Sequence, residues 1–129
     1  MRPALAFLSL LPGLLALSAC QSTPSGPATS GRSALDVMER VAVGANNCWI
    51  KSGDASFKAY SMAPELDSYS GRPRILLVRR NSSDIRPLLV VQAEGNPARL
   101  DAFGPMMNEP VRARILRDVA RWSTGSKGC

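Results

Sequence analysis

The chain has 129 residues, no histidine, three cysteines and a formal charge of +6 at pH 7. The missing imidazole removes the commonest general base, metal ligand and triad member, and with no Cys-x-x-Cys spacing a zinc site has no evident ligand set. Once its apolar start is set aside, a chain of this length holds one small domain.

That start is Arg2 followed by an uncharged stretch from Pro3 to Ala19, with Leu and Ala dominating Ala4 to Leu17. The run is shorter than the roughly 20 apolar residues a membrane-spanning helix needs, and Pro12-Gly13 would weaken such a helix. It has the length and flanks of a signal segment. The segment ends in Leu17-Ser18-Ala19-Cys20, which resembles the lipobox of bacterial lipoprotein precursors: an aliphatic residue, two small residues, then cysteine. The resemblance covers residues 1–20. It implies removal of residues 1–19, diacylglycerol on the Cys20 thiol and an acyl chain on the new amino group. Two or three acyl chains anchor stably where one is marginal. Gln21 in place of aspartate resembles the pattern sent to the outer membrane of double-membraned bacteria. The resemblance therefore places the chain in the cell envelope, facing the periplasm where the host has two membranes. Export makes nucleic acid an unexpected partner for the basic charge, leaving anionic lipid, polyanionic glycan or an acidic protein. With Cys20 taken by lipid, Cys48 and Cys129 remain as a candidate disulfide in an oxidising compartment, two free thiols being the open alternative.

Residues 20–32 follow as the lipidated cysteine and a Ser/Thr/Pro/Gly-rich tether with no large apolar side chain, too poor in hydrophobic surface to repay ordering. Residues 33–129 form a single domain. Ser33 with Asp36 makes a capping start. Leu35, Val37, Met38, Val41, Ala42, Ala45, Cys48 and Trp49 then fall on one face of a helix, with Val43 as the exception. Ala55–Tyr60 alternates as a strand. Two apolar runs, within Arg74–Arg80 and Pro87–Gln92, read as central strands covered on both faces and joined by the turn-forming Asn81-Ser82-Ser83-Asp84. After Gly95-Asn96-Pro97, Ala98–Phe103 alternates as a fourth strand and stops at Gly104-Pro105. Glu109–Trp122 closes the chain as a helix. Its apolar stripe includes Ile115, Leu116, Val119 and Trp122, while Arg114, Arg117 and Arg121 form a solvated face. The order predicts an α+β fold: a small antiparallel sheet of three to four strands flanked by an N-terminal and a C-terminal helix in a two-layer sandwich.

Chemistry is sparse. Lys51-Ser52 is an adjacent pair, not a dyad, and the carboxylates Glu65 and Asp67 would need a cleft to act as a hydrolase. The most distinctive segment is the loop Pro64–Arg74, where Glu65, Asp67, Tyr69, Arg72 and Arg74 are candidate partner-binding residues, since loops carry function and Tyr and Arg anchor interfaces. Arg72, Arg74, Arg79, Arg80 and Arg86 would form an anion or partner patch if they converged at one end of the sheet. They would equally suit a sheet edge that must not pair with another chain. Trp49 and Trp122 read as core. The expectation is a non-enzymatic, membrane-anchored adaptor for another envelope protein or a glycan, with no metal or cofactor beyond the covalent lipid. A structural accessory subunit of an envelope assembly is the alternative, and a small hydrolase the third reading.

Overall fold

The computed structural model describes residues 28–29, 32–67 and 69–129. The signal segment, Cys20 and most of the tether lie outside those residues. Among the described residues no helix is long and apolar enough to cross a membrane.

Helix α1 (Ala34–Ala45) starts at Ser33, whose Oγ accepts from the Asp36 N–H at 3.2 Å and donates to the Asp36 carboxylate at 2.9 Å. The two residues cap each other. Val37, Met38, Val41, Ala42 and Ala45 are buried along one face. Leu35, assigned to that face by the helical wheel, is 43% exposed. It lies in the first turn, where the helix overhangs the sheet and Ala34 N–H bonds Gly95 C=O at 3.1 Å. Beyond Ala45 the helix widens into a π-helical turn, Asn46–Lys51. The wider turn lets the adjacent Cys48 and Trp49 both face the core, and Ser52 Oγ donates back to Cys48 C=O at 2.7 Å.

Of the expected strand Ala55–Tyr60, only Tyr60 is extended, as the first residue of a later strand. The chain turns twice here, with Phe57 N–H bonding Asp54 C=O and Tyr60 N–H bonding Phe57 C=O, each at 3.0 Å. The Asp54 side chain fixes the first turn by accepting from Ser56 N–H at 2.9 Å. The turns drive Phe57 fully inside, where it stacks on Trp49 with centroids 4.7 Å apart. Burial of one aromatic against a distant tryptophan outweighs the weak local alternation.

The sheet comprises β2 (Tyr60–Glu65), β3 (Arg74–Arg79), β4 (Leu89–Glu94) and β5 (Ala98–Phe103), each antiparallel to the next. A two-residue strand β1 (Ala28–Thr29), within the stretch assigned to the tether, pairs with the outer side of β5 opposite Arg99 and Ala98. The full order is β1-β5-β4-β3-β2. At the opposite edge, Arg80 Nη2 donates to the Tyr60 carbonyl at 3.1 Å, while Arg80 N–H pairs with Ala59 C=O at 2.8 Å.

The inner face carries Ile75, Leu77, Leu89, Val91, Ala93, Ala98 and Leu100, all buried beneath α1. Helix α2 (Arg112–Ser123) packs beside α1. They meet at Gly44, whose missing Cβ leaves space for the Trp122 ring. The molecule is thus a two-layer α+β sandwich with both helices on one side of an antiparallel sheet. The apolar runs in β3 and β4 are accordingly covered on one face only. Leu76 and Val78 are half-buried on the open side, because alternation sends every second residue away from the helices.

Helix α2 begins later than residue 109. Gly104, at φ 122°, lies so close to the Leu88 carbonyl that a Cβ would be 2.6 Å from its oxygen. The chain then makes a 3-10 turn, Pro105–Asn108, and Glu109 is extended before Pro110. Past α2 the tail folds back: Trp122 Nε1 donates to Gly128 C=O at 3.1 Å, and Arg121 Nη2 to Cys129 C=O at 3.1 Å. Cys129 is thereby joined to Cys48 in a disulfide with Cα atoms 5.3 Å apart.

Candidate functional site

The arginines of α2 do not form one solvated face. Asp118 sits on the apolar stripe, three residues after Ile115 and four before Trp122, and is 2% exposed. Its carboxylate accepts from Trp49 Nε1 at 3.0 Å. Arg114 Nε, Arg117 Nε and Arg121 Nη2 lie 3.4, 3.6 and 3.5 Å from its oxygens. Arg114 also grips Asp54 at 2.5 Å and lies 5.3 Å from the centroid of Phe57. The Ser56 backbone N–H, then the Arg114 guanidinium, hold the Asp54 carboxyl below its usual range. Of the three arginines only Arg117 stands well out in solvent. This cluster ties α1, the Phe57 turn and α2 together, which is a structural role. Asp118→Asn keeps an acceptor for Trp49 but removes the charge facing three cations. It should cost about 2 kcal/mol in urea unfolding, and a change below about 0.5 kcal/mol would show that solvent, not Asp118, satisfies those arginines.

The candidate partner-binding residues divide. Glu65 and Arg74 are opposite one another in the β2–β3 register and pair at 2.6 Å. Arg72 pairs with Glu94 at 2.9 Å, and Glu94 also receives Arg99 from β5. Three of the five loop candidates are therefore held in ion pairs at the border of the open sheet face. Asp67 and Tyr69 stand at the loop tip, both exposed, with Tyr69 fully so. Tyr69 and Asp67 flank a shallow hollow reaching across to Leu35 and Leu66.

Convergence of the five arginines does not occur. Arg72 and Arg74 are at one end of β3, Arg79 and Arg80 at the other, about 17 Å apart along a six-residue strand. Arg86 is engaged locally with Asp84 at 2.8 Å in the β3–β4 loop. The Arg86 side chain, then its backbone N–H, lower the Asp84 pKa to about 2. Instead, the open sheet face brings together residues that composition did not single out. Ala63, Leu76, Val90 and Phe103 fall opposite one another on successive strands. Val90 is buried between its longer neighbours, and Phe103 is 44% exposed. The next row but one is Glu65, Arg74, Gln92 and Asp101. An apolar row beside a charged row, on a face with no helix over it and a small polar recess among Gln92, Glu94, Arg99 and Asp101, is a surface able to dock a protein. The signal for it was present: odd and even positions of both apolar runs are hydrophobic, which one covered face does not require.

Cys20 lies outside the described residues. Among those residues no group of three or more metal-ligating side chains converges. Compared with known proteins, the chain matches no family model, no curated protein and no solved structure.

Proposed function

We propose that the chain is a lipid-anchored envelope lipoprotein acting as a non-catalytic adaptor, which docks another envelope protein on the open face of its sheet. The observation that carries this reading is the apolar row Ala63–Leu76–Val90–Phe103, flanked by ion-paired charges and continuous with the loop that presents Tyr69. A protein partner suits it better than a glycan. Its exposed groups are an aromatic, aliphatics and arginines, and its polar recess among Gln92, Glu94, Arg99 and Asp101 is small, about 220 Å³. The anchor follows from the lipobox-like Leu17-Ser18-Ala19-Cys20. A structural subunit would use the same surface permanently, so complex stoichiometry separates the two readings.

The test is photo-crosslinking in cells from positions 103 and 69, with position 51 as control. One envelope protein should be captured from the first two positions and not from the third. Phe103→Asp should weaken that complex at least about tenfold while changing stability by less than about 1 kcal/mol, since the ring is half-exposed. Capture from all three positions alike, or from none, defeats the docking face. A membrane-extracted chain that lacks acyl mass at Cys20 defeats the anchor.

A further inference from the structure

On the helical side, away from the open sheet face, α1 and the folded-back tail enclose a groove of about 830 Å³. Its floor is apolar: Val43, 62% exposed, beside Gly44, with the Trp122 ring buried beneath them at 1% exposure. Its rim is cationic. Arg32, Arg40 and Lys127 line it, with Glu39 the one acidic side chain among the described lining residues. Arg40 Nη1 and Arg32 Nη1 are 3.2 and 3.8 Å from one point, the position a Cβ on Gly125 would occupy. The two nitrogens are therefore no more than about 7 Å apart, close enough for like charges to repel.

Among the described residues no ion pair offsets that repulsion: neither guanidinium has an ion-pair partner, and Arg32 Nη1 is buried with no hydrogen-bond acceptor. A buried charged donor without an acceptor is costly, and native structures rarely leave one unexplained. The tail holds its own place by other bonds, through Trp122, Arg121 and Cys129. The arginines are thus not spent in fixing it.

We infer that this groove binds a phosphate-headed amphiphile, with the phosphate oxygens accepting from Arg32 and Arg40 and the apolar stem lying on Val43 beside Gly44. Guanidinium groups suit phosphate by geometry as well as charge, and a free anion would leave the apolar floor unused. The site is independent of the anchor and of the docking face, and fails or stands without them.

The experiment titrates the purified chain with dihexanoyl phosphatidic acid below its micelle concentration. Inorganic phosphate and dihexanoyl phosphatidylcholine are run in parallel, and binding is read by calorimetry. The short-chain acid should bind saturably, at least tenfold tighter than inorganic phosphate and tenfold tighter than the choline lipid. Arg40→Gln and Arg32→Gln should each weaken it tenfold or more. Val43→Asn, a neutral change at an exposed position that should fold normally, should weaken the lipid and leave inorganic phosphate within twofold. No saturable binding, or binding unchanged by Arg40→Gln, overturns the site. Inorganic phosphate binding as tightly as the lipid overturns the amphiphile, and choline lipid binding equally well overturns the role of the arginines.

Discussion

Cys129→Ser should lower the stability of the domain by about 4 kcal/mol, the largest effect expected of any single substitution here. The disulfide joins residues separated by 81 positions, so most of its contribution lies in denying the unfolded chain its long-loop conformations. Cys129 is the better half to change, because it is exposed while Cys48 is 3% exposed among core side chains. Serine at position 129 therefore tests the cross-link without a packing penalty. In a domain of about 100 residues this corresponds to a fall in melting temperature of roughly 20 °C. Reductant should move the wild type by the same amount and leave the variant where it is. Equal melting of wild type with and without reductant would mean that the bond is absent in the purified protein. A fall in the variant that reductant does not reproduce would mean that Cys129 matters through packing.

Gly44→Ala should cost about 3 kcal/mol, although alanine is the better helix former by about 1 kcal/mol. A Cβ at this position would sit 2.3, 2.6 and 2.6 Å from three atoms of the Trp122 ring. The ring has nowhere to withdraw. It lies 5.1 Å from Trp49 on one side, and its Nε1 is bonded to Gly128 C=O on the other. The helices must then separate, lifting the tail and opening the groove. Urea unfolding with an unchanged slope and a lower midpoint is the expected reading. A variant as stable as wild type would mean that α1 and α2 slide past each other freely.

The antiparallel α+β sandwich could be read from the residues because hydrophobic period and turn chemistry agree over most of the chain. Ala98–Phe103 could be read to its ends, since clean alternation is bounded by Asn96-Pro97 and Gly104-Pro105. Ala55–Tyr60 could not. Phe57 among small and polar residues fits either a strand or a turn that buries one ring, and Trp49, which decides, lies outside the local window. The burial of Asp118 was not legible for a different reason: a carboxylate on an apolar stripe reads as a gap in the pattern, while its partner Trp49 is 69 residues away. The loop candidates Glu65, Arg72 and Arg74 could be named but not paired. Pairing depends on the hairpin register and on Glu94 from another strand. The groove was out of reach, because Arg32, Arg40 and Lys127 come from opposite ends of the domain and meet only through the folded tail.

The Arg80 contact on the edge of β2 has a consequence for what copies of this domain can build. The strand turns Tyr60, Met62 and Pro64 outward, as the alternation from the Ala59–Arg80 pair requires. Tyr60 has its N–H on Phe57 and its carbonyl on Arg80, and Pro64 has no N–H to give. That leaves Met62 as the only residue of the strand with both outward backbone groups open. A ribbon of sheets grows only if each added copy offers a receptive edge on both sides. Here one side is blunted, so edge pairing could join two copies only through the part of β5 beyond Arg99 that β1 leaves uncovered, and would stop there. Crowding, which multiplies encounters between neighbours, would therefore yield pairs and not filaments.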